Sequence, residues 1–160
     1  MYSLIAGAVL FFCCAYAGFG ISDYYKRRYL LFHALCGYVE ALESGVSYVQ
    51  LTVPEITESY GEGKKGDFAR MLARFSASMK DGSEMSCKTL LLTAYEQNLL
   101  AKFFDSLGKY DYDSQLAELK RYGAIFGPLL ESSRKQYESV GKLAAKMGVL
   151  TGIAVMLALA

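Results

Sequence analysis

The stretch YSLIAGAVLFFCCAYAGFGIS, residues 2–22, contains no charged side chain. About 20 predominantly apolar residues are enough for a helix to cross the hydrocarbon core of a bilayer. A buried helix of a soluble protein is the alternative, but the absence of any charge over this length argues against it. A cleaved signal peptide fits less well, because no basic segment precedes the run and no small-residue cleavage site follows it. We predict a membrane-spanning helix over residues 1–23.

Charged residues are confined to the middle of the chain. Every lysine and arginine lies between residues 26 and 146, and every aspartate and glutamate lies between residues 23 and 138. The net charge is only +1 over 160 residues, which gives no electrostatic reason to expect a nucleic acid partner. The sequence is therefore a polar segment between two apolar ends.

The C-terminal run MGVLTGIAVMLALA, residues 147–160, is short for a spanning helix. At about 1.5 Å for each residue it covers roughly 21 Å, less than the roughly 30 Å hydrocarbon core. It can still span if nearby lysine side chains extend toward the headgroups, or it can pack against the first helix. Gly148 and Gly152 form a GxxxG pair, which permits two helices to approach closely. We predict a second transmembrane helix over residues 146–160.

Basic residues flank both apolar ends on the side of the polar middle: Lys26, Arg27 and Arg28 after the first run, and Lys142 and Lys146 before the second. The positive-inside rule then predicts a cytoplasmic segment over residues 24–145, with both chain ends outside. Tyr24, Tyr25 and Tyr29 fit an aromatic belt at the headgroups. We interpret the basic clusters as general contacts with membrane lipid rather than as a lipid-specific site.

The polar middle shows apolar residues at helical spacing, which predicts an all-α fold, a helical bundle between the two spans. The first helix carries Leu31, Leu35, Tyr38 and Leu42 and reaches Gly45, predicted as a left-handed cap. A shift of 37 residues places this pattern on Phe68, Leu72, Phe75 and Met79, with Gly82 in place of Gly45. The match predicts an internal repeat of helix, glycine and short helix, although two ordinary amphipathic helices would look similar. A third helix is predicted over 86–108 and a long one over 114–140, with a kink at Pro128.

The segment DSLGKYDYDSQLAELK, residues 105–120, begins like a calcium loop at Asp111. An EF-hand also needs a glycine at position 6 and a glutamate at position 12, where this chain has Leu116 and Tyr122. We therefore reject a metal site. Gly108 is predicted to end one helix, and Asp111 and Asp113 are predicted to cap the next. Gln115 has no role in this interpretation.

No catalytic constellation can be assembled from the sequence. His33 is the only histidine and stands in an apolar helical pattern, and the four cysteines form no pair of CxxC motifs. The GEGKKG segment, residues 61–66, lacks the spacing of a phosphate-binding loop. We predict that the chain is not an enzyme and binds no metal or cofactor.

The segment LGKYDYDSQ, residues 107–115, resembles the LG-x-x-D-x-x-x-Q signature of the stage III sporulation protein AB family. Leu107, Gly108, Asp111 and Gln115 occupy its fixed positions. The ending KQYESVGKLAAKMGVLTGIAVMLALA and the segment RYLLFHALCGYVEALESGVSY are also similar to that family, so the resemblance covers nearly the whole chain. One departure is the position of proline in GVSYVQLTVPEI, which is later than in the family.

The resemblance implies a membrane component of the sporulation complex that links mother cell and forespore. It would lie on the mother-cell side of the forespore-engulfing membrane. The family is similar to the inner-membrane platform proteins of type II secretion and type IV pilus systems, whose cytoplasmic helices contact a secretion ATPase. The implied partners are an ATPase of the stage III sporulation protein AA type and other membrane components of the complex. The sequence leaves open whether the chain forms a homo-oligomer.

Two alternatives remain at this stage. Tyrosine-rich helices can line a pocket, so the chain can also be a helical membrane protein that senses a ligand or signal. A remoter alternative is a soluble bundle in which the two apolar ends pack together.

Overall fold

The computed structural model describes residues 2–49, 51–81, 87, 89–109 and 111–159. Every regular element in this part of the chain is helical, which confirms the predicted all-α class. The elements are α1 (Tyr2–Ser44), a π-helical turn (Gly45–Val49), α2 (Val53–Gly61), α3 (Asp67–Asp81), α4 (Ala94–Ser106), α5 (Tyr112–Gln136), a second π-helical turn (Tyr137–Gly141) and α6 (Lys142–Leu159).

The chain divides into two compact units. The core unit is Leu30–Leu130, and the two-helix unit combines Met1–Tyr29 with Glu131–Ala160. These boundaries follow packing, whereas the membrane boundaries at 23/24 and 145/146 were placed by charge and stay predictions.

Two helical stretches are long and apolar enough to cross a membrane: Gly7–Ser47 and Tyr112–Ala158, each including a π-helical turn. The 18-residue apolar segments within these stretches have mean hydropathies of 1.3 and 1.6. Only 17% of the first segment and 11% of the second is buried, whereas a core helix of a soluble protein is mostly buried. Length, composition and exposure together support the predicted apolar helices at the two ends.

The core unit is built around Tyr38 of α1, which is fully buried. Its ring lies 5.3 Å from that of Tyr60 in α2 and 5.8 Å from that of Phe68 in α3. It also lies 6.4–6.5 Å from the rings of Phe103 and Phe104 in α4. Aromatic pairs at these separations stabilise a core beyond the area that they bury. One α1 side chain therefore contacts three other helices.

The hydroxyl group of Tyr38 is satisfied inside the core. It lies 2.7 Å from Thr57 Oγ1, and Thr57 Oγ1 in turn donates to the carbonyl oxygen of Val53 at 2.6 Å. Because the Thr57 proton is used in that second bond, Tyr38 is the donor in the first. Burial raises the pKa of Tyr38 to about 12, so the hydroxyl stays protonated at neutral pH.

The helix α2 docks on α1 through a second tyrosine. Tyr60 donates to the carbonyl oxygen of Ala34 at 2.8 Å. Its hydroxyl occupies the space beside Gly37, where a Cβ atom would lie only 2.8 Å from it. At the start of α2, the backbone N–H of Thr52 donates to Glu55 at 2.8 Å, one of the two hydrogen bonds of a capping box.

The apolar positions related by the 37-residue shift face the core. Leu31, Leu35, Tyr38 and Leu42 of α1 are buried, as are Phe68, Leu72 and Phe75 of α3, and Met79 packs against them. Two amphipathic helices facing one core would show the same burial, so the internal repeat stays a prediction. Gly82, the predicted cap of α3, lies outside the described residues.

The left-handed cap predicted at Gly45 does not form. The α-helix does end at Ser44, but Gly45 starts a π-helical turn, and its φ is not among the positive values. A Cβ atom at this position would lie 2.5 Å from Ile56 Cδ1. Glycine is needed here to make room for α2 rather than to permit an unusual backbone angle.

The helix predicted over residues 86–108 corresponds to α4 and begins later than predicted. It starts at Ala94 rather than near residue 86, because Thr93 and Glu96 form a capping box. The N–H of Thr93 donates to Glu96 Oε2 at 2.8 Å, and Thr93 Oγ1 accepts from the N–H of Glu96 at 3.3 Å. Reciprocal bonds of this kind fix the first turn of a helix.

We expect Tyr38→Phe to lower the free energy of unfolding by about 1 kcal/mol, the usual net contribution of a hydrogen bond. Tyr38→Ala should cost about 3–5 kcal/mol because it also leaves a large cavity. Denaturant unfolding of the detergent-solubilised protein, followed by circular dichroism, measures both. Tyr95→Phe is the matched control, since Tyr95 is 71% exposed. Equal stability of Tyr38→Phe and wild type would contradict the assigned role of the hydroxyl.

Candidate functional site

The first candidate site is the contact between α1 and α6 in the two-helix unit. A Cβ atom on Gly18 would lie 2.7 Å from the carbonyl oxygen of Ala144 and 3.0 Å from the Cα atom of Gly148. A Cβ atom on Gly148 would lie 2.9 Å from the carbonyl oxygen of Cys14. Real Cβ atoms do not come this close to backbone atoms, so the two helices approach backbone to backbone at this crossing.

The same contact extends along both helices. A Cβ atom on Gly152 would lie 2.7 Å from the Phe11 ring, and one on Gly141 would lie 3.2 Å from the Cβ atom of Tyr25. Residues of increasing number along α6 therefore meet residues of decreasing number along α1, which makes the two helices antiparallel. Gly148 and Gly152 lie at a packing face, as the GxxxG spacing predicts.

Gly18 is the functional position that sequence reasoning missed. It lies opposite Gly148, yet it belongs to no GxxxG pair in α1. The available signal was the spacing Cys14-x-x-x-Gly18-x-x-x-Ser22, which places small residues at every fourth position. A small-xxx-small pattern becomes specific only when the facing helix is known.

Four of the five basic residues predicted to mark the membrane boundary lie at one end of this contact, and Lys146 lies further along it, between Ala144 and Gly148. The rings of Tyr29 and Tyr137 stack with centroids 6.1 Å apart and planes within 6°. Lys142 Nζ lies 5.5 Å from the centroid of the Tyr137 ring, within the range of a cation–π contact. Lys142 lies on α6 at this end, and Lys26, Arg27 and Arg28 lie on α1. This end of the contact therefore carries both tyrosine rings and positive charge.

The second candidate site is the turn between α4 and α5 in the core unit. Gly108 has φ +78°, the left-handed geometry that glycine adopts without strain. Its N–H donates to Gln115 Oε1 at 3.0 Å. Gln115 is 4% exposed, and its Nε2 atom is buried without a hydrogen-bond partner. The side chain that sequence reasoning left without a role therefore ties the end of α4 to the first turn of α5.

The aspartates of the same turn differ in their contacts. The Asp111 carboxylate accepts hydrogen bonds from Ser114, which lower the pKa of Asp111, and the Asp111 carbonyl oxygen accepts from the N–H of Gln115 at 2.8 Å. Asp111 is thus the N-cap of α5. Asp113 lies within the first turn, where its charge is favourable at the positive end of the helix dipole.

Two further features of the described residues concern ligands. No group of three or more metal-ligating side chains occurs among them. An open groove of about 340 Å³ lies in the core unit, and its lining includes Gly45, Tyr60, Glu62 and Lys64. Lys64 Nζ lies 2.9 Å from the centroid of the Tyr60 ring.

Residues 3–160 match the family model described as stage III sporulation protein AB. No curated protein and no solved structure matches the chain. The match covers essentially the whole sequence, including both apolar ends and the turn at Gly108.

We expect Gly18→Ala to destabilise the contact between α1 and α6 by about 1–3 kcal/mol, the usual cost of adding a methyl group to a well-packed site. Gly20→Ala is the matched control, because a Cβ atom at Gly20 meets nothing within 4 Å. Both changes raise helix propensity equally, so the difference between them isolates the crossing. Unfolding in mixed detergent and sodium dodecyl sulfate micelles measures the difference in stability between the two variants. Indistinguishable variants would show that the close approach is unimportant.

We expect Gln115→Met to lower the free energy of unfolding by about 1–3 kcal/mol, although it conserves the size of the side chain. The reason is that the Gly108 N–H loses its acceptor. Denaturant unfolding measures the change, with Gln136→Met on the same helix as the control. A gain in stability would mean that the unpartnered Nε2 atom costs more than the bond to Gly108 contributes.

Proposed function

The chain belongs to the stage III sporulation protein AB family, and on that premise we propose that it is a non-enzymatic membrane platform that docks a cytoplasmic secretion ATPase. Family membership implies a role in stage III sporulation. The family match over residues 3–160 supports the sporulation role. The platform role is the more specific step, and the observation that supports it is a packed helical unit between two helices apolar enough to cross a membrane.

The architecture supports a scaffold. Two apolar helical stretches can cross a membrane, and a separate core unit of packed helices lies between them in the sequence. The core is formed by apolar and aromatic side chains that contact one another. A compact helical unit attached to a membrane is suited to presenting a surface to a soluble partner.

The proposed partner is an ATPase of the stage III sporulation protein AA type, with other membrane components of the complex linking mother cell and forespore. On this proposal the core unit lies in the mother-cell cytoplasm, and the protein is held in the forespore-engulfing membrane by both apolar helices. The basic residues beside those helices support this orientation, because positive charge favours the cytoplasmic side. The proposal includes no nucleic acid partner and leaves a homo-oligomer open.

The groove of the core unit favours a second candidate function, the sensing of a small ligand or signal. Its lining combines apolar residues with Glu62 and Lys64, which are groups that can orient a polar ligand. Its volume of about 340 Å³ lies at the lower end of the range for small-molecule sites. The platform function is preferred because the resemblance of the family to the platform proteins of secretion systems also supports it.

We expect the full-length protein in lipid nanodiscs to bind the purified ATPase saturably, whereas empty nanodiscs should not bind it. Binding should be lost with Tyr38→Ala, which disrupts the core unit, and kept with Gly20→Ala, which leaves the core unit intact. Biolayer interferometry with immobilised nanodiscs measures all four. Absence of binding by the wild-type protein would overturn the platform proposal.

The same nanodiscs separate the two candidate functions. A metabolite that raises the unfolding temperature, in a protein that does not bind the ATPase, would favour the sensing role. Ser59 lies in the lining of the groove. Ser59→Trp should then abolish the thermal shift, while the platform proposal expects this variant to bind the ATPase like wild type.

A further inference from the structure

The two compact units carry charge of opposite sign. The two-helix unit contains seven lysine and arginine residues and three acidic residues, whereas the core unit contains ten basic and thirteen acidic residues. The overall charge of +1 hides this difference. The net positive charge of the two-helix unit favours anionic partners, whereas that of the core unit does not.

All three acidic residues of the two-helix unit already lie in ion pairs: Asp23 with Arg27 at 4.0 Å, Glu131 with Lys135 at 3.6 Å, and Glu138 with Arg134 at 3.4 Å. These exposed pairs contribute little stability. They do place each negative charge of the unit beside a positive one. Lys26, Lys142 and Lys146 have no acidic partner within the part of the chain that the structure describes.

The helix contact gives the relative heights of these three lysines. Lys142 follows Gly141, which meets Ser22 and Tyr25, and it lies four residues, about 6 Å, from Lys146 on the same helix, so its level is between those of Lys26 and Lys146. Lys146 lies between Ala144 and Gly148, which both meet Gly18. Eight residues separate Gly18 from Lys26, so Lys146 is about 12 Å nearer the apolar ends. Its ammonium group must extend along the helix to reach the headgroups.

We propose that Lys26, Lys142 and Lys146 bind the phosphate groups of anionic phospholipids, with selectivity for headgroup charge rather than for one lipid species. Each lysine near an anionic surface contributes a factor of about five to association, the equivalent of about 1 kcal/mol. Lys146 has the largest effect of the three. Its level is nearest the hydrocarbon, where a lower dielectric constant strengthens the attraction to phosphate. Lys142 is held in place by its contact with the Tyr137 ring.

The full-length protein is reconstituted in phosphatidylcholine vesicles containing spin-labelled phosphatidylglycerol or spin-labelled phosphatidylcholine. Electron paramagnetic resonance then gives the ratio of the two association constants from the motionally restricted lipid. We expect a ratio of about five or more for wild type, falling in 0.5 M salt because of screening. Lys142→Gln/Lys146→Gln should lower the ratio several-fold, with Lys26 keeping it above one, and Lys146→Gln alone should lower it more than Lys26→Gln.

Two controls make the result specific. Lys102→Gln/Lys120→Gln removes the same charge from exposed positions of the core unit and should leave the ratio unchanged. Lys142→Arg/Lys146→Arg keeps the charge and should keep the ratio, which distinguishes lost binding from lost folding. A wild-type ratio of one, or an unchanged ratio in the double glutamine variant, would overturn the proposal. So would inorganic phosphate that lowers the ratio more than sodium chloride does at equal ionic strength, because the site would then bind free phosphate.

Discussion

The organisation of the core unit depends on the burial of one tyrosine with its hydroxyl group satisfied. Tyr38 brings the rings of α2, α3 and α4 to one point on α1, and its hydroxyl donates to Thr57. A buried hydroxyl without a partner would cost about 1–3 kcal/mol. The bond to Thr57 avoids that cost and also fixes the position of α2. A phenylalanine could fill the same volume but would not specify which face of α2 meets α1.

The two-helix unit depends on a different interaction, because lipid surrounds an apolar helix as favourably as another apolar helix does. Association in a bilayer rests on close van der Waals packing, which requires small residues at the contact. Gly18 and Gly148 supply this, and large side chains such as Phe12, Leu150 and Leu157 point outward at 59–73% exposure. That exposure would be unfavourable in water but is suited to lipid.

The sequence was sufficient for features set by local chemistry. Charge-free ends predicted the two apolar helices, and the spacing of apolar residues predicted the all-α core. The sequence was insufficient where the role of a residue depends on its contact with another segment of the chain. Gly45 has the sequence context of a helix cap, but its size is fixed by Ile56 of α2. Gln115 appeared to have no role because its acceptor atom serves Gly108 across a turn. The late start of α4 was a missed local signal, since Thr93 and Glu96 have the same spacing as Thr52 and Glu55.

The division of charge between the units bears on how a platform works. An anionic bilayer surface attracts a unit with seven basic and three acidic residues, and it repels one with ten basic and thirteen acidic residues. Repulsion of the core unit would keep its surface from lying against lipid headgroups. The attraction falls off within about 10 Å at moderate ionic strength, so it acts on residues beside the membrane and hardly on those further away. Under the proposed function, the same charges that hold the chain at the membrane therefore leave the core unit accessible to a soluble ATPase.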